Sequence, residues 1–336
     1  MSELQPGDVI NTYQAIRQQL DKAIKGEEYA KDVAIAGVCD QSTPGFFGIA
    51  GGGKSTLVRS LVKAIGVDYY SDEVAFIPGQ HDLTATRVVG GSSKRRFTSN
   101  GDRETEEIEV DSIFKPSSVI AHYEEITGMS PYALRASMSV IASRQLETTD
   151  GVVELPNLLT AMVSGNPSSR EDGTFRLPDP VASRIPKGAI MGLNPVDDIE
   201  RIELNLSALD TYESGGENLV VPVTTPEKLR LVGQYLATIA ISETQKRHLA
   251  EMAAEIAKKL KKDFRMSETD RRLTIHLAQN LRTFAGLRNG GKMGDDKDIL
   301  DATRSVIAAR VGTKPHTEEQ LESLDEIAQE VSGIRV

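Results

Sequence analysis

One segment constrains this chain more than any other: Gly48–Ser55, which reads GIAGGGKS. It fits the pattern G-x-x-x-x-G-K-[ST], whose glycines let backbone N–H groups converge on the phosphates of a nucleotide. Phe46 and Phe47 precede it, as in the end of a buried strand. After it, apolar residues recur at helical spacing from Leu57 to Ile65, and Gly66 ends them. A strand, a glycine-rich loop and a helix in this order predict a phosphate-binding loop, named the phosphate loop below.

Each residue type in the phosphate loop has a defined task. Lys54 adds a positive charge for the β- and γ-phosphates, and the Ser55 hydroxyl is placed to coordinate Mg²⁺. The expected cofactors are therefore ATP and Mg²⁺. The predicted nucleotide-binding residues are Gly48, Gly51, Gly52, Gly53, Lys54, Ser55 and Thr56.

Short apolar runs rich in β-branched residues follow along the chain, at 74–77, 119–123, 158–163 and 189–193. Helical patterns lie between them, most clearly at 132–146. Strands that alternate with helices predict an α/β fold with a largely parallel sheet.

Two segments interrupt this alternation as hairpins. The polar stretch 90–110 carries Asn100-Gly101 between two short alternating segments, and a second turn is expected at Asp150-Gly151. The first hairpin holds the basic cluster Lys94-Arg95-Arg96, which could contact phosphates or an acidic peptide. We favour the simpler interpretation, a solvated loop.

The C-terminal third of the chain changes character. Apolar stripes at helical spacing run through 231–241, 249–260, 273–287 and 299–311. We therefore predict an α/β core at 1–200, an acidic linker at 201–225, a helical domain at 226–313 and a polar, exposed C-terminal helix at 314–336.

Composition argues against several classes of function. The net charge of −10, with 5% aromatic residues and no Trp, disfavours general binding to nucleic acid. The single Cys39 excludes an internal disulfide and any site built from several cysteines. The five histidines lack ligand spacing, so we expect no protein-held metal apart from nucleotide-bound Mg²⁺. No apolar run approaches the roughly 20 residues of a membrane span. We expect a cytoplasmic protein without a membrane partner.

An apolar strand at 119–123 ends in two carboxylates, Glu124 and Glu125. An NTPase with a phosphate loop needs an acidic strand end of this kind, to hold Mg²⁺ and to polarise the attacking water. Alone, the pair would be read as two solvated glutamates, but together with the phosphate loop it indicates a hydrolytic site.

From residue 119 to Arg184 the sequence resembles the MoxR family of AAA+ ATPases. The resemblance rests on the order and spacing of EEITGMSPYALRASM, TTDG, SGNP, DGTFRLPDP and SR, and it covers most of the α/β region. It implies a P-loop AAA+ core, with a parallel sheet flanked by helices, and a C-terminal all-α lid domain. It also implies that the hairpin at 90–110 is an insert in the second core helix.

The resemblance assigns roles to particular residues. Glu125 matches the catalytic glutamate that positions water, and Asn166 matches an amide between the γ-phosphate and that water. Glu124 matches the acid on the Mg²⁺ side, usually Asp. Its extra methylene places the carboxylate about 1.5 Å further out, so metal contact is either direct or shifted, and hydrolysis could be slow. Thr127-Gly128 replaces the family's Asn-Arg.

Two arginines complete the assignment. Arg184 matches the arginine finger, which reaches the nucleotide of the neighbouring subunit and stabilises charge in the transition state; Arg170 is a weaker candidate. Arg272, favoured over Arg271, resembles a lid arginine that contacts the γ-phosphate within the same chain.

Three functions stay open. The first is a MoxR-type remodelling ATPase that hydrolyses ATP as a homo-oligomeric ring, expected to be a hexamer. It would act on a protein client or adaptor, which in this family often bears a metal-binding adhesion-type domain. The second is a nucleotide-gated scaffold with weak hydrolysis, which Glu124 makes possible. The third is a nucleic-acid motor, which the acidic composition disfavours.

Overall fold

A computed structural model describes residues 4–90, 93–100, 103–110, 112–148, 151–167, 177–192, 206, 209–264, 270–312 and 318–334. The strands are β1 Pro44–Gly48, β2 Val74–Pro78, β3 Ser93–Asn100, β4 Arg103–Val110, β5 Ile120–Glu124, β6 Gln145–Thr148, β7 Gly151–Glu154, β8 Thr160–Gly165 and β9 Lys187–Met191. The helices are α1 Pro6–Ala23, α2 Glu28–Cys39, α3 Lys54–Ala64, α4 Ala85–Val89, α5 Pro131–Ser143, α6 Asp179–Ala182, α7 Pro226–Thr238, α8 Glu243–Phe264, α9 Asp270–Asn289, α10 Asp296–Val311 and α11 Glu318–Ser332.

The central sheet has five strands in the order β2-β5-β8-β1-β9, and every neighbouring pair is parallel. In its register Gly48 lies opposite Met191, and Pro78 lies opposite Glu124. The carboxyl ends of parallel strands meet at one edge of the sheet, where α/β folds bind their ligands. The phosphate loop after β1, Glu124 at the end of β5 and Asn166 after β8 therefore come to the same edge.

Both predicted hairpins are confirmed as antiparallel strand pairs. β3 pairs with β4 from Ser93↔Val110 to Asn100↔Arg103, and β6 pairs with β7 from Gln145↔Glu154 to Thr148↔Gly151. The turn residues 101–102 and 149–150 lie outside the described residues.

The helical pattern expected to continue to Leu146 ends at Ser143. Arg144 adopts a left-handed conformation with φ 55°, which ends the helix. Leu146 belongs to strand β6, where its side chain is buried.

The hydrophobic core fills both faces of the sheet. α3 buries Leu57, Val58, Leu61 and Val62, the stripe predicted from their spacing. α1 packs against α3 and α9, so the first helix joins the core to the C-terminal helices. α10 packs directly against β9 at the sheet edge. No helix within the described ranges combines the length and the apolar character needed to cross a bilayer.

Buried ion pairs fix α9 against the core. Arg288 on α9 contacts Asp32 on α2 at 2.7 Å, and Asp298 and Asp301 on α10 at 3.0 and 2.7 Å. Closer to the amino end of the sheet, Thr283 donates to Asp40 at 2.8 Å. Breaking a buried pair by removing one partner typically costs about 3–5 kcal/mol. The orientation of α9 is therefore specified by charges as well as by apolar contact.

The C-terminal helix departs from the prediction of an exposed polar helix. α11 packs against α10 and α8 and buries Leu324, Ile327 and Ala328. Lys259 on α8 also pairs with Glu330 at 2.6 Å. The apolar positions of this helix are few, but they lie on one face, and that face is covered.

Candidate active site

The phosphate loop owes its shape to glycines with backbone angles that other residues rarely adopt. Gly51 and Gly53 have φ values of 81° and 78°, in the left-handed region. At Gly48 a Cβ atom would lie 1.9 Å from the carbonyl oxygen of Met191 on the neighbouring strand. At Gly52 a Cβ would come within 3.2 Å of the Ile49 carbonyl oxygen. At Gly48 the loop therefore lies too close to β9 for a side chain, and at Gly51 and Gly53 its backbone takes left-handed angles before the start of α3.

Lys54, the first residue of α3, points back across the loop. Its Nζ donates to the carbonyl oxygens of Gly48 and Ile49 at 3.0 and 2.7 Å, and to Asn166 Oδ1 at 2.8 Å. Burial lowers the pKa of this ammonium group, and the charges of Glu125 and Glu27 oppose that change. Its hydrogen bonds thus hold the ammonium group between the loop and the end of β8.

Ser55 and Glu124 form the pair suited to a metal ion. The Ser55 hydroxyl donates to Glu124 Oε1 at 2.5 Å, although α3 and β5 are distant in the sequence. A hydroxyl and a carboxylate are hard oxygen ligands, which Mg²⁺ prefers, and Mg²⁺ usually retains several waters. The donor set therefore fits Mg²⁺. The glutamate side chain is long enough to reach Ser55 directly from the end of β5. Thr56 follows Ser55 on α3 and is half-buried.

Glu125 sits in a conformation that is rare for a side chain of its size. Its φ is 52°, in the left-handed region, and strain of this kind clusters at functional sites. The pKa of its carboxyl group is raised, mainly because the group is buried and to a lesser extent because Glu124 is negatively charged. The positive charge of Lys54 and a hydrogen bond from the Asn166 backbone N–H oppose this change. The carboxylate thus lies within the influence of both Lys54 and Asn166, where the prediction requires it.

The turn after Glu125 explains one departure from the MoxR pattern. A Cβ atom at Gly128 would lie 2.2 Å from the Gly79 carbonyl oxygen, and one at Gly79 would lie 1.7 Å from the Glu125 carbonyl oxygen. The two glycines allow β2 and the turn at Ile126–Gly128 to meet at backbone distance. A longer residue at position 128 would push this turn away from β2.

A third acidic residue, Glu27, belongs to this site and was not predicted from the sequence. It has a φ of 54° just before α2, and its Oε1 accepts from the Gly192 N–H at 2.8 Å. Gly192 in turn packs against Ile49 and Gly52 of the phosphate loop. Burial raises the pKa of Glu27, while the hydrogen bond from the Gly192 N–H and the charges of Lys31 and Lys54 oppose that rise. Glu27 follows Gly26, and both residues have left-handed backbone angles. A backbone conformation of this kind cannot be read from a single sequence, so Glu27 was not predicted.

The two predicted arginines lie elsewhere. Arg184 precedes β9 at the amino end of the sheet, and its guanidinium donates to the Pro180 carbonyl oxygen at 2.5 Å. Lys187, the first residue of β9, pairs with Pro44, the first residue of β1. The phosphate loop begins four residues further along β1, at Gly48. At about 3.3 Å per residue, Gly48 therefore lies roughly 13 Å beyond the level of Lys187. Arg184 therefore does not reach the phosphate loop of its own chain, as expected for a finger that acts on a neighbour.

The expectation for Arg272 has to be corrected. Its guanidinium donates to the Ser183 hydroxyl, which places it beside Arg184 and away from the phosphate loop of its own chain. The reason is the orientation of α9, in which Asn280 donates to the Pro186 carbonyl oxygen at 3.0 Å. In this arrangement Arg272 does not contact a γ-phosphate within the same chain. The rival Arg271 is exposed on the same helix, and Arg170 lies outside the described residues.

Comparison with known proteins supports the fold. A crystal structure of a protein from Cytophaga hutchinsonii, described as a putative ATPase, superimposes with a TM-score of 0.72. The alignment covers 98% of this chain and 96% of that one, at 16% sequence identity. The predicted fold class is confirmed. It is an α/β fold, with a parallel sheet flanked by helices and a helical C-terminal region. No protein-family model and no curated protein sequence matches the chain.

Proposed function

We propose that this chain is an ATPase of the MoxR type, which hydrolyses ATP between subunits of a ring and remodels a protein client. One observation carries the proposal. Lys54, Ser55, Glu124, Glu125 and Asn166 come from three different parts of the sequence and meet at one edge of the sheet. Each residue has the chemistry that phosphoryl transfer to water requires of its position.

The division of tasks follows from the contacts. Lys54 and the loop N–H groups would bind the β- and γ-phosphates, and Ser55 and Glu124 would hold Mg²⁺, which neutralises charge on the phosphates. Glu125 would orient the attacking water and accept its proton, while Asn166 fixes the Glu125 carboxylate through its backbone N–H. The side-chain oxygen of Asn166 accepts a hydrogen bond from the Lys54 ammonium group at 2.8 Å.

The charge balance at the site favours the magnesium complex over free ATP. The charges of Glu27 and Glu125 act on Lys54, and the charge of Glu124 acts on Glu125, so carboxylates outnumber the lysine before a nucleotide arrives. A triphosphate adds further negative charge, and a divalent cation between the Ser55–Glu124 pair and the phosphates offsets it.

The positions of the arginines support the proposed ring. Hydrolysis by related sites gains about 10³–10⁵ in rate from an arginine finger. Arg184 stands at the far end of β9 from its own phosphate loop, with Arg272 beside it. A neighbouring chain would supply both arginines to the site. The net charge of −10 favours a protein client over nucleic acid.

The test is ATP turnover by the purified chain, measured for the parent and for Glu125→Gln at saturating ATP. The proposal expects Mg²⁺-dependent release of phosphate by the parent. The variant should bind ATP with parental affinity and turn over at least about 100-fold more slowly. A parent that binds ATP tightly without turnover would support the nucleotide-gated scaffold instead. DNA binding that weakens steeply with salt would support the nucleic-acid motor.

A further inference from the structure

The first hairpin forms a sheet of its own. β3 Ser93–Asn100 and β4 Arg103–Val110 pair with each other over eight residues, and within the described residues neither strand pairs with any other. At about 3.4 Å per residue, each strand is roughly 27 Å long. We call these two strands the ribbon. Each strand of the ribbon therefore has one outer edge to which no third strand of the described chain is bound.

A ribbon of only two strands needs either further support or protection. An isolated pair of strands is marginally stable in water, and a third strand or a packed helix usually stabilises it. A free edge also binds further strands, so natural proteins protect such edges with charged residues or cover them. The charges of the two strands therefore show whether the ribbon repels other strands or selects one kind of strand.

The two strands of the ribbon carry opposite charges. The basic cluster predicted from the sequence lies in β3, SKRRFTSN, which has three basic residues and no acidic one. β4, RETEEIEV, has four glutamates and one arginine. The formal charge is therefore +3 on β3 and −3 on β4. Within the chain, the register places Lys94 opposite Glu109 and Arg96 opposite Glu107. Opposite charges across a strand pair stabilise it, and like charges destabilise it.

The same charges select which outer edges of two chains can pair. Two β3 edges would bring three basic residues against three others, and two β4 edges would bring glutamates against glutamates, so both combinations are repelled. β3 against β4 of a second chain joins opposite charges. If that contact repeats the register of the ribbon, Lys94 and Arg96 lie opposite Glu109 and Glu107 of the second chain. One combination of edges is therefore favoured over the other two.

We propose that the outer edge of β3 pairs with the outer edge of β4 of a second copy of this chain. The pairing is antiparallel, as it is inside the ribbon, so the ribbons of successive copies point the same way and form one continuous sheet. Each added copy supplies the third strand that a two-stranded ribbon lacks. The inference goes beyond the proposed function, because the ribbon contains none of the residues to which we assign a part in ATP binding or hydrolysis.

Disulfide trapping tests this pairing directly. The chain's own Cys39 is buried, and burial raises the pKa of its thiol, so added cysteines react first. Thr98→Cys marks β3 and Thr105→Cys marks β4, at positions that face each other within the ribbon. Cα atoms of neighbouring strands lie about 4.5–5.5 Å apart, within disulfide reach, whereas strands two spacings apart are about 9.6 Å away and beyond it.

The two full-length variants are oxidised mildly, alone and as an equal mixture, with and without a non-hydrolysable ATP analogue. The mixture should give a linked dimer whose 98–105 disulfide is identified by peptide mass spectrometry, and neither variant alone should give one. Because charge permits more than one register, Arg103→Cys and Glu107→Cys replace Thr105→Cys in parallel mixtures. A link to any one of these three positions supports the pairing.

A charge-exchanged chain serves as the matched control, because its ribbon keeps opposite charges within the chain. It carries Lys94→Glu, Arg96→Glu, Glu107→Lys and Glu109→Lys. Thr98→Cys in this chain should link to Thr105→Cys in a chain with parental charges at least about 5-fold less than the parental pair does, since like charges now meet. When both chains are charge-exchanged, the link should return to the parental level.

Three results would overturn the inference. The first is the absence of a β3–β4 link between chains at all three partner positions, with and without nucleotide. The second is a 98–98 or 105–105 link from a variant alone, which would show that like edges meet. The third is a link that charge exchange leaves unchanged. The link is read without turnover, so a chain that links through its ribbon but never hydrolyses ATP would refute the proposed function alone.

Discussion

Shortening Glu124 to aspartate tests how this site holds its metal ion. The Glu124 carboxylate reaches the Ser55 hydroxyl at 2.5 Å. Removing one methylene withdraws the carboxylate by about 1.5 Å, to roughly 4 Å, which is beyond hydrogen-bond distance. The backbone has little room to follow, because the Gly79 N–H donates to the Glu124 carbonyl oxygen at 2.6 Å. Glu124→Asp should therefore impair the site, although aspartate is usual in the family.

The size of the effect follows from the contact that is lost. A hydrogen bond to a charged group contributes about 1.5–3 kcal/mol, which corresponds to roughly a 10- to 150-fold change in binding. The Mg²⁺ concentration that gives half-maximal turnover, measured at saturating ATP, should rise by that factor in Glu124→Asp. Glu124→Gln is the matched control, because it keeps the length of the side chain and removes its charge.

Combining substitutions at Ser55 and Glu124 tests whether the two residues act together on the metal ion. Ser55→Ala should raise the Mg²⁺ requirement by itself, and adding Glu124→Asp should then change little more, since the two residues act as a pair. If Glu124→Asp needs the same Mg²⁺ concentration as the parent, or less, the Ser55–Glu124 pair is not the metal site that we infer.

Further substitutions examine the rest of the site. Lys54→Ala should weaken ATP binding by about 30-fold or more, because a buried charge contact with the phosphates is lost. The far-UV circular dichroism should stay unchanged. Retained affinity in an ATP titration would refute the assignment of the phosphate loop. Burial raises the pKa of Glu125 above its usual 4.5, and hydrolysis needs the ionised form, so kcat should fall with a midpoint above pH 4.5 as the pH is lowered. A midpoint at or below 4.5 in the pH–rate profile would contradict that role. Gly48→Ala should lower the melting temperature more than Gly51→Ala, since only the former places a Cβ against the Met191 carbonyl oxygen, and equal melting temperatures would count against that packing.

Local patterns were enough to predict much of the fold. The turn pairs Asn100-Gly101 and Asp150-Gly151 located both hairpins, and the spacing from Leu57 to Ile65 located α3. These features depend on neighbours along the chain, where turn chemistry and helical periodicity act directly. The grouping of Glu124, Glu125 and Asn166 was implied by the resemblance to the MoxR family, and it arises in the structure because parallel strands bring their carboxyl ends together.

What the sequence did not reveal depends on contacts between distant segments. Periodicity shows that α9 has an apolar face, but not that Arg288 binds Asp32 and Asp298, which helps to orient α9 so that Arg272 lies beside Arg184. Glu27, which precedes α2, comes close to the phosphate loop, where it accepts a hydrogen bond from the Gly192 N–H and its charge acts on Lys54. Neither contact leaves a local pattern in one sequence.

Our central claim is that the active site is completed by a residue from a second chain. The most direct measurement is turnover in mixtures of Arg184→Ala and Glu125→Gln, each nearly inactive alone. An interface that pairs the intact Glu125 of the first variant with the intact Arg184 of the second would be complete, so we expect partial recovery in the mixture. We also expect parental turnover per chain to rise with protein concentration. Completion of the site by a second chain is refuted if Arg184→Ala alone hydrolyses ATP at the parental rate, or if parental turnover per chain is the same at every concentration.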